Sequence, residues 1–79
     1  MTKKRKFRGI RVGDRVELKD AGQVVLSGVV IDDPEGAKPF KEANPGRKLV
    51  MVELDEPVYA NGAFWGAMAC FVDKLTRVR

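Results

Sequence analysis

Apolar and polar residues alternate where the first regular element is predicted. Between positions 15 and 19, Val16 and Leu18 are set between charged residues, and this period of two is typical of a strand with one buried face. Turn-forming residues lie on both sides of it, at 13–14 and at 20–22. The pattern therefore predicts a first strand that buries Val16 and Leu18.

Four more strands and one 3₁₀ turn are predicted from the segments downstream. Residues 24–31, 48–55 and 63–70 are rich in apolar residues, and they predict the second, third and fourth strands. Residues 71–75 predict a single 3₁₀ turn, and residues 76–78 predict a brief last strand. The chain contains no internal repeat, and this order of elements predicts an all-β domain.

A long segment separates the second strand from the third. Residues 33–47 hold three of the four prolines, and we expect neither a regular strand nor a long helix there. The segment predicts a loop of about 15 residues, a length that suggests a role or mobility. Phe40 lies within it, and two interpretations stay open: it is an anchor for a partner, or it is a plug that folds beneath the sheet.

Three shorter signals predict where strands bend, end and turn. Gly28 lies in the middle of the second strand and predicts a bulge or a sharp bend. The pair Glu56-Pro57 predicts the end of the third strand, because proline cannot donate to the ladder. The pair Asn61-Gly62 is a strong hairpin-turn signal.

Two short segments resemble the SH3-like barrels. Val12-Gly13-Asp14-Arg15-Val16 leads into the first strand, and Asp73-Lys74-Leu75-Thr76-Arg77-Val78 closes the chain. Together with the order of elements, the resemblance covers about residues 10–79. It implies a small five-stranded SH3-like barrel with one short 3₁₀ turn before the last strand.

Three members of this superfamily imply different functions. KOW-type and Tudor-like modules look similar at the first two strands, and they imply binding of nucleic acid or of protein tails. The SH3-like accessory subunits of photosystem I and of ferredoxin–thioredoxin reductase look similar in layout, and they imply a docking role. The plasmid-type dihydrofolate reductase is similar at 13–16. That enzyme relies on a Val-Gln-Ile-Tyr stretch in its late strand, whereas residues 66–70 of this chain are Gly-Ala-Met-Ala-Cys. No reductase residue is therefore carried over.

Charge is distributed unevenly along the 79 residues. The formal net charge is +4, but residues 1–8 hold five basic residues and no acid, so residues 9–79 hold 10 basic and 11 acidic residues, a net of −1. We therefore predict a flexible basic arm over 1–8 and a single domain over 9–79. The arm either binds nucleic-acid phosphates or is a solvated tail. The candidate phosphate-binding residues are Lys3, Lys4, Arg5, Lys6, Arg8 and Arg11.

Few residues in the chain could carry catalysis or bind a metal. Histidine is absent and Cys70 is the one cysteine, which excludes an internal disulfide and a Cys/His zinc site within one chain. We expect Cys70 to be a small buried residue, and we interpret Asp32-Asp33 and Asp55-Glu56 as strand-end caps. The sequence predicts a non-enzymatic protein without cofactor or metal. An oligomeric enzyme with a shared site is the remaining catalytic hypothesis.

The location and partners are predicted from hydropathy and aromatic residues. No apolar run reaches the length of a membrane span, and no signal peptide is evident, so we expect a cytoplasmic protein without a membrane partner.

Tyr59, Phe64 and Trp65 cluster around the predicted hairpin turn. Alternation puts Phe64 and Trp65 on opposite faces, so one of them is predicted to enter the core. Trp65, Tyr59 and Phe40 are the candidate partner-binding residues, with a core or subunit-interface role as the alternative.

The apolar residues outnumber what the inside of so small a barrel holds. Some are therefore expected to be exposed unless an oligomer covers them. The leading hypothesis is a binding or accessory module that contacts a protein or a second copy of itself; the alternative is a small nucleic-acid-binding protein that uses the basic arm. The residues in excess are Val24, Val25, Leu26, Val29, Val30, Ile31, Leu49, Val50, Met51, Val52 and Leu54.

Overall fold

One antiparallel sheet of five strands forms most of the structure. The computed structural model describes residues 9–78, and the strands lie in the order β4-β3-β2-β1-β5. A short α-helix connects β2 to β3, and a 3₁₀ turn precedes β5, as predicted. The elements are β1 (Arg15–Asp20), β2 (Gln23–Ile31), α1 (Pro34–Ala43), β3 (Leu49–Ala60), β4 (Ala63–Phe71), the 3₁₀ turn (Val72–Lys74) and β5 (Leu75–Val78).

The sheet does not close into the barrel that was predicted. β4 and β5 are its outer strands, and no ladder joins them in the described part of the chain. The 3₁₀ turn carries the chain from the β4 edge to β1, where the four residues of β5 pair. The prediction of a five-stranded all-β domain is therefore confirmed, whereas the prediction of a closed barrel is wrong.

Each face of the sheet contributes to a separate apolar cluster. On one face Val16, Val30 and Val52 are almost completely buried. The predicted burial of Val16 is therefore confirmed, whereas Leu18 is only half-buried. On the other face Leu49 and Met51 are buried against Ala37 of α1. The first cluster also contains Leu54 and Cys70, with Ile10, Leu26, Val50, Val58, Met68 and Leu75 packed around it.

The predicted loop over 33–47 is wrong, because most of it is helix α1. Asp33 caps the helix by accepting a hydrogen bond from the N–H of Gly36 at 3.1 Å. Pro34 occupies the start of the helix, where a missing N–H costs little. Pro39 lies inside the helix, where its ring removes one backbone hydrogen bond, and Ala37 is buried against the sheet. The prolines therefore position the helix rather than exclude it.

The third strand continues through the point where it was predicted to end. Glu53 pairs with Ala67, and Val58 pairs with Trp65. Four residues, 54–57, therefore lie opposite Gly66 alone, so three of them are in excess. The ladder with β4 is interrupted over 54–57, a segment that includes Pro57, which has no N–H to donate, and the strand then resumes its pairing with β4.

Gly28 is required for close packing rather than for a bulge. A Cβ at this position would collide with the carbonyl of Glu53 and approach Val52 Cγ1 to 2.9 Å. The register shift between β1 and β2 lies at Leu18/Lys19, and Gly28 itself stays paired with Val16 on one side and Leu54 on the other. Glycine is therefore the one residue type that lets β2 approach β3 so closely.

The sheet has two different ends. Both two-residue hairpin turns lie at one end, with positive φ at Ala21-Gly22 and at Asn61-Gly62, as the left-handed turns of tight hairpins require. We call this end the hairpin fork, since β2 and β3 pair only over 28–31 and 51–54 and then diverge. The opposite end carries α1 and is called the helix end. No helix within residues 9–78 is long and apolar enough to cross a membrane.

Candidate functional site

The tip of the β3–β4 hairpin carries an exposed aromatic pair. Tyr59 and Phe64 are direct cross-strand partners, so their side chains share one face of the hairpin. Their rings meet edge to face with centroids 4.9 Å apart, which is a favourable aromatic geometry. The pair packs on itself and not on the core, since Tyr59 is 64% exposed and Phe64 is 73% exposed.

Trp65 adds apolar surface on the other face of the same hairpin. It pairs across the strands with Val58, which packs at the edge of the core. The Trp65 indole N–H donates to the carbonyl of Ala60 at 2.9 Å. Because this donor is already satisfied, Trp65 offers a partner its ring surface rather than a hydrogen bond.

The prediction that either Phe64 or Trp65 enters the core is wrong. Both are exposed, Trp65 by 44%. The reason is that residues 58–65 pair only with each other, beyond the point where β2 accompanies β3. No third strand is present there to complete a core around them.

A groove of about 390 Å³ lies in the hairpin fork. One wall comes from the first half of β2, where Val24 and Val25 are about half exposed. The other wall comes from the interrupted part of β3, including Asp55, Glu56 and Pro57. The expectation that some of the excess apolar residues are exposed is therefore confirmed. The groove is apolar on one side and acidic on the other.

Asp55 connects neighbouring strands at the base of the hairpin fork. Its Oδ2 accepts hydrogen bonds from Arg15 Nη1 at 2.7 Å and from Ser27 Oγ at 2.8 Å. The hydrogen bond from Arg15, then that from Ser27, lowers the pKa of the Asp55 carboxyl below its usual value. One carboxylate thus links β1, β2 and β3 where the two hairpins begin to diverge.

The three predicted partner-binding residues do not form one surface. Trp65 and Tyr59 lie on the same hairpin, but Phe40 lies on α1, at the helix end, and is 48% exposed. Ten strand residues separate Leu49 from Tyr59 along β3, which is about 33 Å of strand. The helix instead buries Ala37, so Phe40 is not a plug beneath the sheet.

Phe64, Val24 and Val25 belong to the exposed surface although they were not among the chosen partner-binding residues. The signal for the valines was the excess of apolar residues in β2. A one-residue shift in the pairing of β1 with β2 adds to it, because Lys19 pairs with Val24 and Leu18 with Leu26, which leaves Val25 without a partner on β1. Such a bulge is not readable from the sequence pattern.

The residues considered for catalysis have structural roles. Cys70 is 7% exposed within the core, and burial raises the pKa of its thiol, so the expectation of a small buried residue is confirmed. The interpretation of the two carboxylate pairs as strand-end caps is correct only for the first pair, which follows the end of β2 and in which Asp33 caps α1. Asp55 and Glu56 lie inside β3. Over residues 9–78, no group of three or more Cys, Asp or Glu side chains is placed to hold a metal ion.

The basic residues of the alternative hypothesis are only partly described. Lys3, Lys4, Arg5, Lys6 and Arg8 lie outside the described residues. Arg11 is exposed, and its backbone N–H donates to Asp14 Oδ2 at 2.8 Å. Arg15 is held by Asp55, and Lys19 lies near the fork. The charge of Arg15 is thus offset by an ion pair at 2.7 Å.

No protein-family model, curated protein or solved structure matches this chain. The resemblance to SH3-like barrels, and the functions it implies, therefore stay predictions.

Proposed function

We propose that this protein is a non-enzymatic binding module whose hairpin fork contacts a second copy of the chain. The observation that carries the proposal is the exposed apolar surface of the fork. Five large apolar side chains lie there, and each is exposed by 44% or more. They are Val24, Val25, Tyr59, Phe64 and Trp65.

The character of this surface supports protein contact. Aromatic residues are enriched in the centres of protein interfaces, since they bury much area at little entropic cost. The edge-to-face packing of Tyr59 and Phe64 holds both rings in place before a partner arrives, and the hydrogen bond of Trp65 does the same for the indole. A preorganised surface loses less freedom when it binds.

Unpaired backbone in the same region favours a copy of this chain as the partner. Within the described residues, β4 pairs only with β3, and residues 23–27 of β2 pair only with β1. Exposed strand edges are templates for pairing with another strand. A symmetric dimer would cover one edge and both hairpins with a single self-complementary interface.

Sedimentation velocity over about a hundredfold range of concentration tests the proposal, because association follows mass action. We expect the full chain to shift from monomer towards dimer as its concentration rises. Trp65→Ser and Phe64→Ser should abolish the shift. Phe40→Ser is the matched control, since Phe40 is an aromatic residue of similar exposure at the helix end, and it should leave the dimer intact.

Two results would overturn the proposal. One is a monomer at every concentration. The other is loss of the dimer in Phe40→Ser but not in Trp65→Ser, which would move the interface to the helix end. Circular dichroism of each variant checks that the fold is unchanged, which we expect because none of the three side chains belongs to a core cluster.

A further inference from the structure

The two outer strands of the sheet differ in length and in charge. β5 has four residues, and one of them is Arg77. β4 has nine residues, from Ala63 to Phe71, and none of them is charged or a proline. Outer strands are usually protected from pairing with other chains by shortness, by charged residues or by proline. β4 has none of these three protections.

The composition of β4 is that of a central strand. β2 is the other strand without a charged residue, and it is paired on both sides over residues 28–31. Among the strands of residues 9–78, β4 is paired with β3 alone. The N–H and C=O groups that point away from β3 therefore have no ladder partner in that part of the chain. Such groups are a template for a further strand.

Gly66 makes the β4 edge complementary to a second copy of itself. This residue is exposed, and a Cβ built on it would meet nothing within 4 Å. A twofold axis through an antiparallel pair of identical strands brings one residue next to its own copy. With the axis at Gly66, no side chain collides with itself there. Trp65 then lies opposite the small side chain of Ala67 of the partner subunit.

The same axis pairs apolar residues along the rest of the ladder. Phe64 would face Met68 of the partner subunit, and Ala63 would face Ala69 of the partner subunit. Residues 63–69 of each copy would supply about seven backbone hydrogen bonds, which is close to the number in a typical protein interface, about ten. No pair brings two charges together, so the ladder carries no like-charge repulsion.

We infer that two copies of this chain join by antiparallel pairing of their β4 strands about Gly66. The two five-stranded sheets then form one continuous sheet. This inference rests on the proposed function, because it names the pairing through which the fork contacts its copy. An axis at Ala69 would place Trp65 opposite position 73, beyond the end of β4, whereas an axis at Gly66 keeps both hairpin tips within the interface.

Charged residues placed on the axis test the pairing. Gly66→Lys and Gly66→Glu each bring two like charges together, so each variant alone should dimerise about fivefold more weakly than the natural chain at low salt. An equimolar mixture should instead form mixed dimers at least as tight as natural ones, since opposite charges then face each other. Sedimentation velocity measures the affinities, and native mass spectrometry counts mixed and like dimers.

Gly9 offers a matched control for these two variants. It is also an exposed glycine, and a Cβ on it would meet nothing within 4 Å. It lies at the helix end, where it lines a groove with Lys41 and Arg47. Gly9→Lys and Gly9→Glu should dimerise like the natural chain and should mix at random. Circular dichroism of all four variants checks that the fold is retained.

Amide hydrogen exchange separates strand pairing from contact through side chains alone. In an outer antiparallel strand, alternate residues point their N–H groups away from the sheet. Where about nine-tenths of the chain is dimeric, these N–H groups of residues 63–69 should exchange about tenfold more slowly than in dilute protein. The intervening N–H groups, which already point towards β3, should change much less.

The outcomes distinguish failure of this inference from failure of the proposed function. If Trp65→Ser abolishes the dimer but the two Gly66 variants dimerise normally and mix at random, the fork is an interface and the β4 pairing is wrong. A natural chain that stays monomeric overturns both. Slow exchange of the outward N–H groups at every concentration would show that the edge is covered within one chain, and it would overturn the inference alone.

Discussion

The same two strands are buried at the helix end and exposed at the hairpin fork. Near α1, Leu49 and Met51 of β3 are each 7% exposed, because the helix lies over them. Ten residues further along β3, Tyr59 has a similar strand environment but no element covers it. Burial along this hairpin is therefore decided by what packs on the strand and not by the apolar character of its residues.

The two ends belong to one sheet, and we expect the largest loss of stability from a substitution at the centre of that sheet. Gly28→Ala would force a Cβ against the carbonyl of Glu53 and the side chain of Val52. We expect a loss of about 3 kcal/mol in the free energy of unfolding, at the upper end of the range for overpacking. Urea denaturation measures it. Gly66→Ala, where a Cβ meets nothing within 4 Å, should change stability by less than about 0.5 kcal/mol.

Two valines of the sheet sharpen the contrast between covered and uncovered residues. Val52 is 0% exposed and Val24 is 48% exposed. Val52→Ala removes two buried carbons and leaves a cavity, so it should cost about 2 kcal/mol. Val24→Ala should cost less than about 0.5 kcal/mol in the monomer. Equal losses in urea denaturation would contradict the assignment of Val24 to an uncovered surface.

Helix α1, which covers the sheet at the helix end, can be destabilised without changing the strands. Asp33→Ala removes the side chain that caps α1 and should cost about 1 kcal/mol. Amide hydrogen exchange should accelerate in α1 while the β3–β4 hairpin keeps its protection. Asp32→Ala is the neighbouring control, with little change expected. Uniform acceleration across the sheet would show that the helix is not an independent cover.

The smallest effect we expect concerns the base of the fork and depends on pH. The pKa of Asp55 is lowered in the folded state, so its contribution to stability is complete above the unfolded value of about 3.9. That contribution is lost as the pH falls through the folded pKa. Carboxyl titration by NMR should place Asp55 below its usual range. Arg15→Gln should raise its pKa more than Ser27→Ala does, because Arg15 makes the larger contribution.

The strands and turns could be predicted from local patterns, whereas the helix and the shape of the sheet could not. The alternation that predicts burial of Val16 and the Asn61-Gly62 turn pair each span a few residues, and the burial and the turn are both confirmed. Helix α1 packs on distant β3 residues through Ala37, and a local pattern cannot report such a contact. Closure of the sheet likewise depends on pairing between strands far apart in the sequence.

The candidate surface could be predicted only in part, because exposure at the hairpin tip also depends on contacts between residues far apart in the sequence. Tyr59 and Trp65 were selected because they flank a turn, and both are exposed. Phe64 was expected to alternate with Trp65 between core and solvent. That argument assumes a core beneath the hairpin, and β3 and β4 extend beyond it. Phe40 was chosen as an apolar residue within the predicted loop, and α1 places it at the other end.

The central claim is that the hairpin fork is the contact surface between copies of this chain. Trp65 is the single tryptophan, so its indole N–H resonance can be followed in proton NMR spectra on dilution without ambiguity. We predict that this resonance, together with the backbone signals of Val24, Val25 and Phe64, shifts or broadens as concentration rises, while those of Ala37 and Phe40 stay fixed. A Trp65 signal that is independent of concentration, or changes confined to α1, would contradict the claim.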